Sequence, residues 1–320
     1  MSRRKFAKNI LAGAASTSFS SDSTLSLNVL QGFAAPKKRC LSSHVGEDST
    51  ITIKESQEGS SHSIISPTEV PDKELSFWNR FYVLECQLNN TLQDIVRPVS
   101  ITHVYNPVEY ASGLHCAYLQ KFLDGPKRVM FVGMNPGPNG MGQTGVPFGN
   151  ILTVRNEMSL SGSVQQPPSV HVKRPVRGFE CSIEEPSGVR IWSLFKKLAG
   201  GSLNTFGRQC FVHNFCPLIF YDNAGRNITP SELKGDYKEK IGKECLDVLD
   251  LELDLVKPEI LVAVGLYMYG MVSRSRHAKD LKIYKLPHPS PRSLNNQNWP
   301  EKAEQLLLEL DLVKYIRDEV

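Results

Sequence analysis

No run of eighteen consecutive apolar residues occurs in the 320-residue chain, which excludes a membrane-spanning helix of ordinary length. Charge of one sign is also scarce: 37 Lys and Arg against 33 Asp and Glu leave a net charge of +4. That small excess is compatible with a polyanionic partner without specifying one. Cys-x-x-Cys pairs are missing, and the seven cysteines (Cys40, Cys86, Cys116, Cys181, Cys210, Cys216 and Cys245) are odd in number and scattered. Such usage argues against a disulfide framework and suits free, mostly buried thiols in a reducing compartment. Cys210, His213 and Cys216 are close in sequence, but a strand sends alternate residues to opposite sides, so the three cannot meet at one metal ion without a break. No metal site is expected, and no internal repeat appears.

Aromatic residues are nearly missing from residues 1–70, which are dense in Ser, Thr and Gly and show no sustained apolar period. Such a composition buries too little surface to offset the entropy of ordering, so this segment is expected to be disordered and 71–320 to form one folded domain. The segment carries two basic clusters, Ser2-Arg3-Arg4-Lys5 and Pro36-Lys37-Lys38-Arg39. The second predicts a nuclear location. The Arg/Ser-rich start, with no acidic residue before Asp22, fits a mitochondrial transit peptide as the alternative.

Beyond residue 70 the hydrophobic period changes. Leu75, Trp78, Phe81, Leu84, Leu88 and Leu92 recur at three- and four-residue spacing and predict an amphipathic helix. Residues 97–112 read as loop, and 111–123 as a helix stopped by Asp124-Gly125-Pro126. A helix is expected over 150–158 with Asn150 as N-cap. Another, capped by Ser187, should place Ile191, Leu194, Phe195 and Leu198 inward until Gly200-Gly201. The capping box Thr229-Pro230-Ser231-Glu232 should open a long helix, a further helix should run to Arg276, and 299–317 should close the chain as one helix. Four short apolar runs, at 129–132, 209–217, 258–265 and 281–286, read as strands. Alternation of strands and helices predicts an α/β protein, a three-layer α/β/α sandwich around a central, mostly parallel four-stranded sheet.

Ligand sites in such sheets gather where strands end. The first strand runs into 134–148, a loop dense in glycine and proline, yet carrying apolar Met134, Val146 and Phe148. Glycines allow close backbone approach to a ligand, and prolines hold a loop in place. Polar residues stand at three strand ends: Asn135, then His213 and Asn214, then His288. The positive cluster His171-Val172-Lys173-Arg174-Pro175-Val176-Arg177 reads equally as a solvated loop or as phosphate contact. The adjacent Glu184 and Glu185 read as ordinary exposed carboxylates of a loop.

Gly133-Met134-Asn135-Pro136-Gly137-Pro138, followed by Gly142-Gln143-Thr144-Gly145-Val146-Pro147-Phe148-Gly149, then Val212-His213-Asn214 and His288-Pro289-Ser290-Pro291-Arg292, resemble the single-strand-selective monofunctional uracil-DNA glycosylases. The resemblance covers about 71–315 and implies the uracil-DNA glycosylase fold. It also implies excision of uracil and 5-hydroxymethyluracil-type bases from single- and double-stranded DNA by a monomer without cofactor. By the resemblance, Asn135 holds the attacking water and His288 donates to the base oxygen that gains charge. Phe148 stacks on the flipped base, Asn214 reads the uracil edge, and Met134 and Gly137 line the pocket. Arg292, Ser293, Lys173 and Arg174 are the implied DNA contacts, with 293–298 as the wedge into the stack. No lysine nucleophile is implied, so no lyase step is expected. The chain departs from the family at Ser293 and Leu294, at the missing lysine before Trp299, and at Asn139, where relatives more often carry Phe. A non-catalytic damage sensor with the same pocket is the competing reading, and a hydrolase of free nucleosides a third.

Overall fold

The structure is a computed structural model describing residues 75–293 and 296–320. The expected disorder of 1–70 and both basic clusters lie outside the described residues. The elements, in order, are α1 (Phe77–Gln93), β1 (His103–Tyr105), α2 (Pro107–Tyr110), α3 (Ser112–Phe122), β2 (Val129–Gly133), α4 (Met141–Thr144), α5 (Pro186–Leu198), α6 (Leu203–Gln209), β3 (Cys210–Asn214), β4 (Ile219–Tyr221), β5 (Asn227–Ile228), α7 (Gly235–Val256), β6 (Ile260–Val264), α8 (Leu266–Val272), β7 (Lys282–Leu286), α9 (Trp299–Glu309) and α10 (Val313–Ile316).

Four strands form the central sheet in the order β3-β2-β6-β7, and every pairing in it is parallel. β2, β3 and β6 are buried at every position, as continuous apolar runs require when helices cover both faces. Phe211 of β3 meets Phe81 of α1 on one face, while Phe131 of β2 packs on Phe195 of α5 and Phe206 of α6 on the other. Only β7 shows exposed positions, among them Lys282 and Lys285, which discourage further pairing at this edge. The chain winds from β2 outward to β3 and then returns past β2 to β6. The winding therefore reverses between β2 and β6, and a crevice is expected at their C-terminal ends.

A second sheet, antiparallel β1-β4-β5, was not legible in the sequence. Its strands have two or three residues, too few to establish a period, and β1 falls in the expected loop 97–112 with α2 directly after it. Other boundaries also moved. α5 begins at Pro186, inside which Ser187 sits buried, so Ser187 is not the cap. The capping box at Thr229 forms, but it closes only a short 3-10 turn. Leu233 is extended and Gly235 has φ of +57°, so α7 starts afresh there. The helix after β6 stops at Val272. The closing helix divides in two at Asp311, where φ is +56°. Residues 151–157 are helical as expected, wound as a π turn over Thr153–Glu157. The Asn150 side chain accepts from the Glu185 N–H instead of capping that turn.

Candidate active site

The loop after β2 is held at many points. Phe215 N–H donates to Gly133 O at 2.9 Å and Cys216 N–H to Met134 O at 3.0 Å, so strand-like bonding continues to the loop's first residue. Tyr110 OH donates to Gly142 O, and the Trp192 indole N–H donates to Pro147 O. His115 Nδ1 donates to the carbonyl of Gly145, a residue with φ of +70° packed against Ala111 and the His115 side chain. This is a preorganised wall, not a mobile loop.

Asn135 follows directly from that wall. Its Nδ2 donates to Leu218 O at 3.0 Å and leans on Pro136 O at 3.4 Å. Two carbonyls around one end of the amide fix that end as nitrogen, which leaves Oδ1 as a free acceptor. Such an oxygen can orient a water but is too weak a base to deprotonate it. Asn214, the last residue of β3, is buried; its Nδ2 lies 3.2 Å from the Met141 sulfur, and its Oδ1 has no hydrogen-bond partner. A buried amide oxygen without a partner costs about 1–3 kcal/mol, so this one is poised to gain from an incoming N–H. Phe148 closes the same spot. A Cβ on Gly133 would lie 2.3 Å from Asn214 Oδ1 and 2.7 Å from the Phe148 ring, so only glycine is compatible with both. Phe148 itself has φ of +53°, an unfavourable value for a non-glycine residue. Its backbone is wedged against Gly188, where an added Cβ would sit 2.1 Å from Phe148 O. The surroundings thus over-determine a strained aromatic, as is common where a side chain must be aimed.

His288 comes from the loop after β7, with its ring centroid 6.1 Å from that of Phe148. Burial lowers its imidazole to about 4, so it is neutral at pH 7. Ser290 N–H donates to Nδ1 at 3.1 Å, which places the single ring proton on Nε2. The result is a neutral N–H donor. Its loop is braced by Asn296 Nδ2 on the carbonyls of His288 and Ser290, by Trp299 on Pro287 O, and by Arg190 on the carbonyls of Pro289 and Asn296. Gly265, at the end of β6 with φ of +98°, backs the His288 side chain.

Met134, Asn135, Phe148, Asn214 and His288 are therefore brought to one end of the sheet by β2, β3 and β7. Gly137 lies on the same loop, but the side where its Cβ would project is occupied by Glu185, whose Oε2 would be 2.6 Å away. Glu185 is not the exposed carboxylate expected from the sequence, although Glu184 is exposed. Burial raises its carboxyl, opposed by hydrogen bonds from Ser187 and from Asn139 N–H and by the charge of Arg292. Of the implied DNA contacts, Arg292, Ser293 and Lys173 are exposed. Arg174 is half-buried, with Nε on Gly225 O and its guanidinium over Tyr221. In the expected wedge 293–298, Asn296 instead turns inward as the brace just described, and Leu294 and Asn295 lie outside the described residues.

Beneath this pocket lies a second polar group that the sequence did not reveal. His115 Nε2 is 2.7 Å from Glu85 Oε2; Glu85 Oε1 stands 3.8 Å from His213 Nδ1; His213 Nε2 is 3.1 Å from Glu252 Oε2. All four are buried. Among the described residues no three His, Cys, Asp or Glu side chains are grouped to hold a metal ion, and no helix is long and apolar enough to cross a membrane.

In chemical terms the pocket offers an aromatic face, an unfilled amide acceptor, a neutral N–H donor and an acceptor for water. That set suits a planar ring with an N–H on its edge and a charge to shed. Residues 120–310 match the uracil DNA glycosylase superfamily. The chain is 41% identical over 238 residues to the single-strand selective monofunctional uracil-DNA glycosylase of Rattus norvegicus, covering 73% of this chain and 85% of that protein. It is 42% identical over 232 residues to the Bos taurus protein of the same name, covering 72% and 85%. The crystal structure of wild-type Pedobacter heparinus SMUG2 superposes with a TM-score of 0.51 at 19% identity, covering 74% of this chain and 99% of that one, and so shares the fold. With that identity over most of its described length and the superfamily match across the sheet and both site loops, the chain belongs to the uracil-DNA glycosylase superfamily, in its single-strand selective monofunctional family.

Proposed function

We propose that the protein is a monofunctional DNA glycosylase that hydrolyses the bond between deoxyribose and uracil, or 5-hydroxymethyluracil, in single- and double-stranded DNA, leaving an abasic site. The observation that carries this reading is the buried, unpartnered Asn214 Oδ1 beside the Phe148 ring and the neutral His288. Uracil presents N3–H beside O4. Asn214 meets both with Oδ1 and Nδ2, and it opposes cytosine, which reverses the pattern. Phe148 stacks on the flipped ring, and Met134 and the backbone at Gly137 complete its walls.

Cleavage is largely dissociative, with positive charge growing on the sugar and negative charge on the departing base. His288 Nε2–H donates to the base oxygen where that charge collects, and Asn135 Oδ1 holds the water that captures the sugar. Arg292, Ser293, Lys173 and Arg174 carry the phosphates. Every side chain of the pocket comes from one chain, which supports action as a monomer. The cluster at 36–39 sends it to the nucleus, which a tagged protein lacking the cluster's charges tests by its location.

The direct test is free-base release from oligonucleotides containing uracil, 5-hydroxymethyluracil or thymine, single- and double-stranded. Uracil release is expected, with His288→Leu and Asn135→Ala each lowering the single-turnover rate by about 10²–10³-fold. Retention of uracil-DNA without release over hours would instead make the protein a damage sensor.

A further inference from the structure

A cavity of about 320 Å³ lies against the back of the site loop, within the ~300–1,000 Å³ range of small-molecule sites. One wall is Pro138, Asn139 and Gly142; the other is the basic segment 172–177, with 181–183 at its side. We propose that this cavity binds the nucleotide next to the target on a single strand, and that it is a source of single-strand preference. The proposal rests on the glycosylase reading above.

Position comes first. Pro138 is three residues from the water-holding Asn135, a span of at most ~11 Å of backbone. The next nucleotide of an extended strand can cross that distance while the target base occupies its pocket.

The second argument is construction. A solvated basic loop needs no anchors, yet this one has several. The buried Gln143 amide donates to Pro138 O at 3.0 Å and Pro175 O at 3.3 Å, and accepts from Arg177 N–H at 2.8 Å. One side chain thus ties the basic segment to the catalytic loop. Tyr105 OH donates to Arg174 O, and Arg174 Nε donates to Gly225 O. The segment is held in place before any ligand arrives, which reduces the ordering cost of binding.

Charge and surface chemistry then choose the ligand. No acidic side chain lines the cavity, and neither Lys173 nor Arg177 has an ion-pair partner among the described residues. Val172 is 88% exposed and Ile183 is 58% exposed at the rim. Unpaired cations beside exposed apolar groups match a phosphate attached to a sugar and base. In a duplex the neighbouring nucleotide is stacked and paired and would have to leave the helix to enter. On a single strand it is free. The cavity therefore adds affinity to single strands only.

The test measures kcat/KM of the full-length wild-type protein on single strands in which the nucleotide 5′ or 3′ of the uracil keeps its phosphodiester but has no base. On one side, loss of that base should lower kcat/KM about tenfold. Arg177→Ala and Ile183→Glu should lower the single- to double-strand ratio by a similar factor. Unchanged kcat/KM with baseless neighbours on both sides, while uracil is still released, overturns the proposal and leaves the glycosylase reading standing. An equal loss on both substrate forms in Arg177→Ala would also overturn it, by reducing the cavity to general phosphate attraction. Absence of release from every substrate would fail the activity itself, and the flanking site with it.

Discussion

His213 and His288 stand near the C-terminal ends of strands in the same sheet, and burial disfavours the charged form of both imidazoles. They end on opposite sides of the ordinary value. Burial alone would lower His213, yet the Glu252 carboxylate, with Glu85 behind it, holds it above the usual range. No carboxylate opposes burial at His288, which falls to about 4. The difference lies in the neighbours. Around His213, the carboxylates of Glu85 on α1 and Glu252 on α7 and the His115 imidazole on α3 stand close together inside the core, although Glu85 Oε1 and Glu252 Oε1 make no hydrogen bond there. Around Asn214 and His288, each group is fixed on one side and open on the other: Asn214 Oδ1 has no partner, and Nδ1 of His288 is used while Nε2–H remains. Buried groups matched by opposite charge hold a fold together, and groups with a spare valence and no opposite charge beside them are available to a ligand.

Breaking the charge-paired set should have the largest effect, and on stability. Glu252→Ala leaves His213 buried without its carboxylate, and removal of one member of a buried pair costs about 3–5 kcal/mol. A clear fall in Tm is expected, with uracil release by the remaining folded protein close to wild type when assayed well below that Tm. An unchanged Tm would mean that the buried set does not stabilise the fold.

Altering the open set should shift specificity. In Asn214→Asp the second position loses its N–H donor toward uracil O4 and gains an oxygen that can accept from the cytosine amino group. One hydrogen bond left unmade in a buried site is worth about 1–3 kcal/mol, so the preference for uracil over cytosine should narrow by roughly 10–100-fold. Parallel single-turnover assays on the two bases measure it. An undiminished preference would remove Asn214 from base reading.

The same contrast explains what could be read from the sequence. β2, β3 and β6 were legible because strands buried on both faces must be continuous apolar runs. The polar residues that interrupt or end such runs, Asn135, Asn214 and His288, stood out against them. His213 stood out equally, and nothing in sequence distinguishes it from Asn214. Their difference depends on Glu85 and Glu252, which arrive from α1 and α7 and look like ordinary charges of amphipathic helices. Glu185 was invisible for a related reason. Its burial arises because Gly137 and Gly140 leave room for a carboxylate, a fact of packing that a Pro/Ser-rich loop does not announce. The small antiparallel sheet was missed through length alone, and with it the scaffold that anchors the basic segment beside the site.

The smallest expected effect is a flat pH profile, and it tests the neutral state of His288 most directly. In the unfolded chain this imidazole takes up a proton near 6.5, and in the folded protein only near 4. Between those values the unfolded state binds more protons, so the stability contributed by neutral His288 is complete above about 6.5 and is lost as pH falls toward 4. Catalysis should follow the folded value. Protonation of Nδ1 sets its N–H against Ser290 N–H, which now donates to it, and so dislodges the loop that aims Nε2–H. The single-turnover rate should stay level from pH 8 to about 5.5 and fall only toward 4, with circular dichroism confirming that the chain is still folded. Burial also raises the Glu185 carboxyl above its ordinary value, so a fall in rate on acidification is not by itself assigned to the imidazole. His288→Gln separates the two: a glutamine amide donates a hydrogen bond but does not titrate, so a slower enzyme without the acid step would assign that step to His288. A wild-type midpoint near 6.5 would instead mean that the imidazole titrates as an ordinary exposed histidine, and the neutral-donor role would fail.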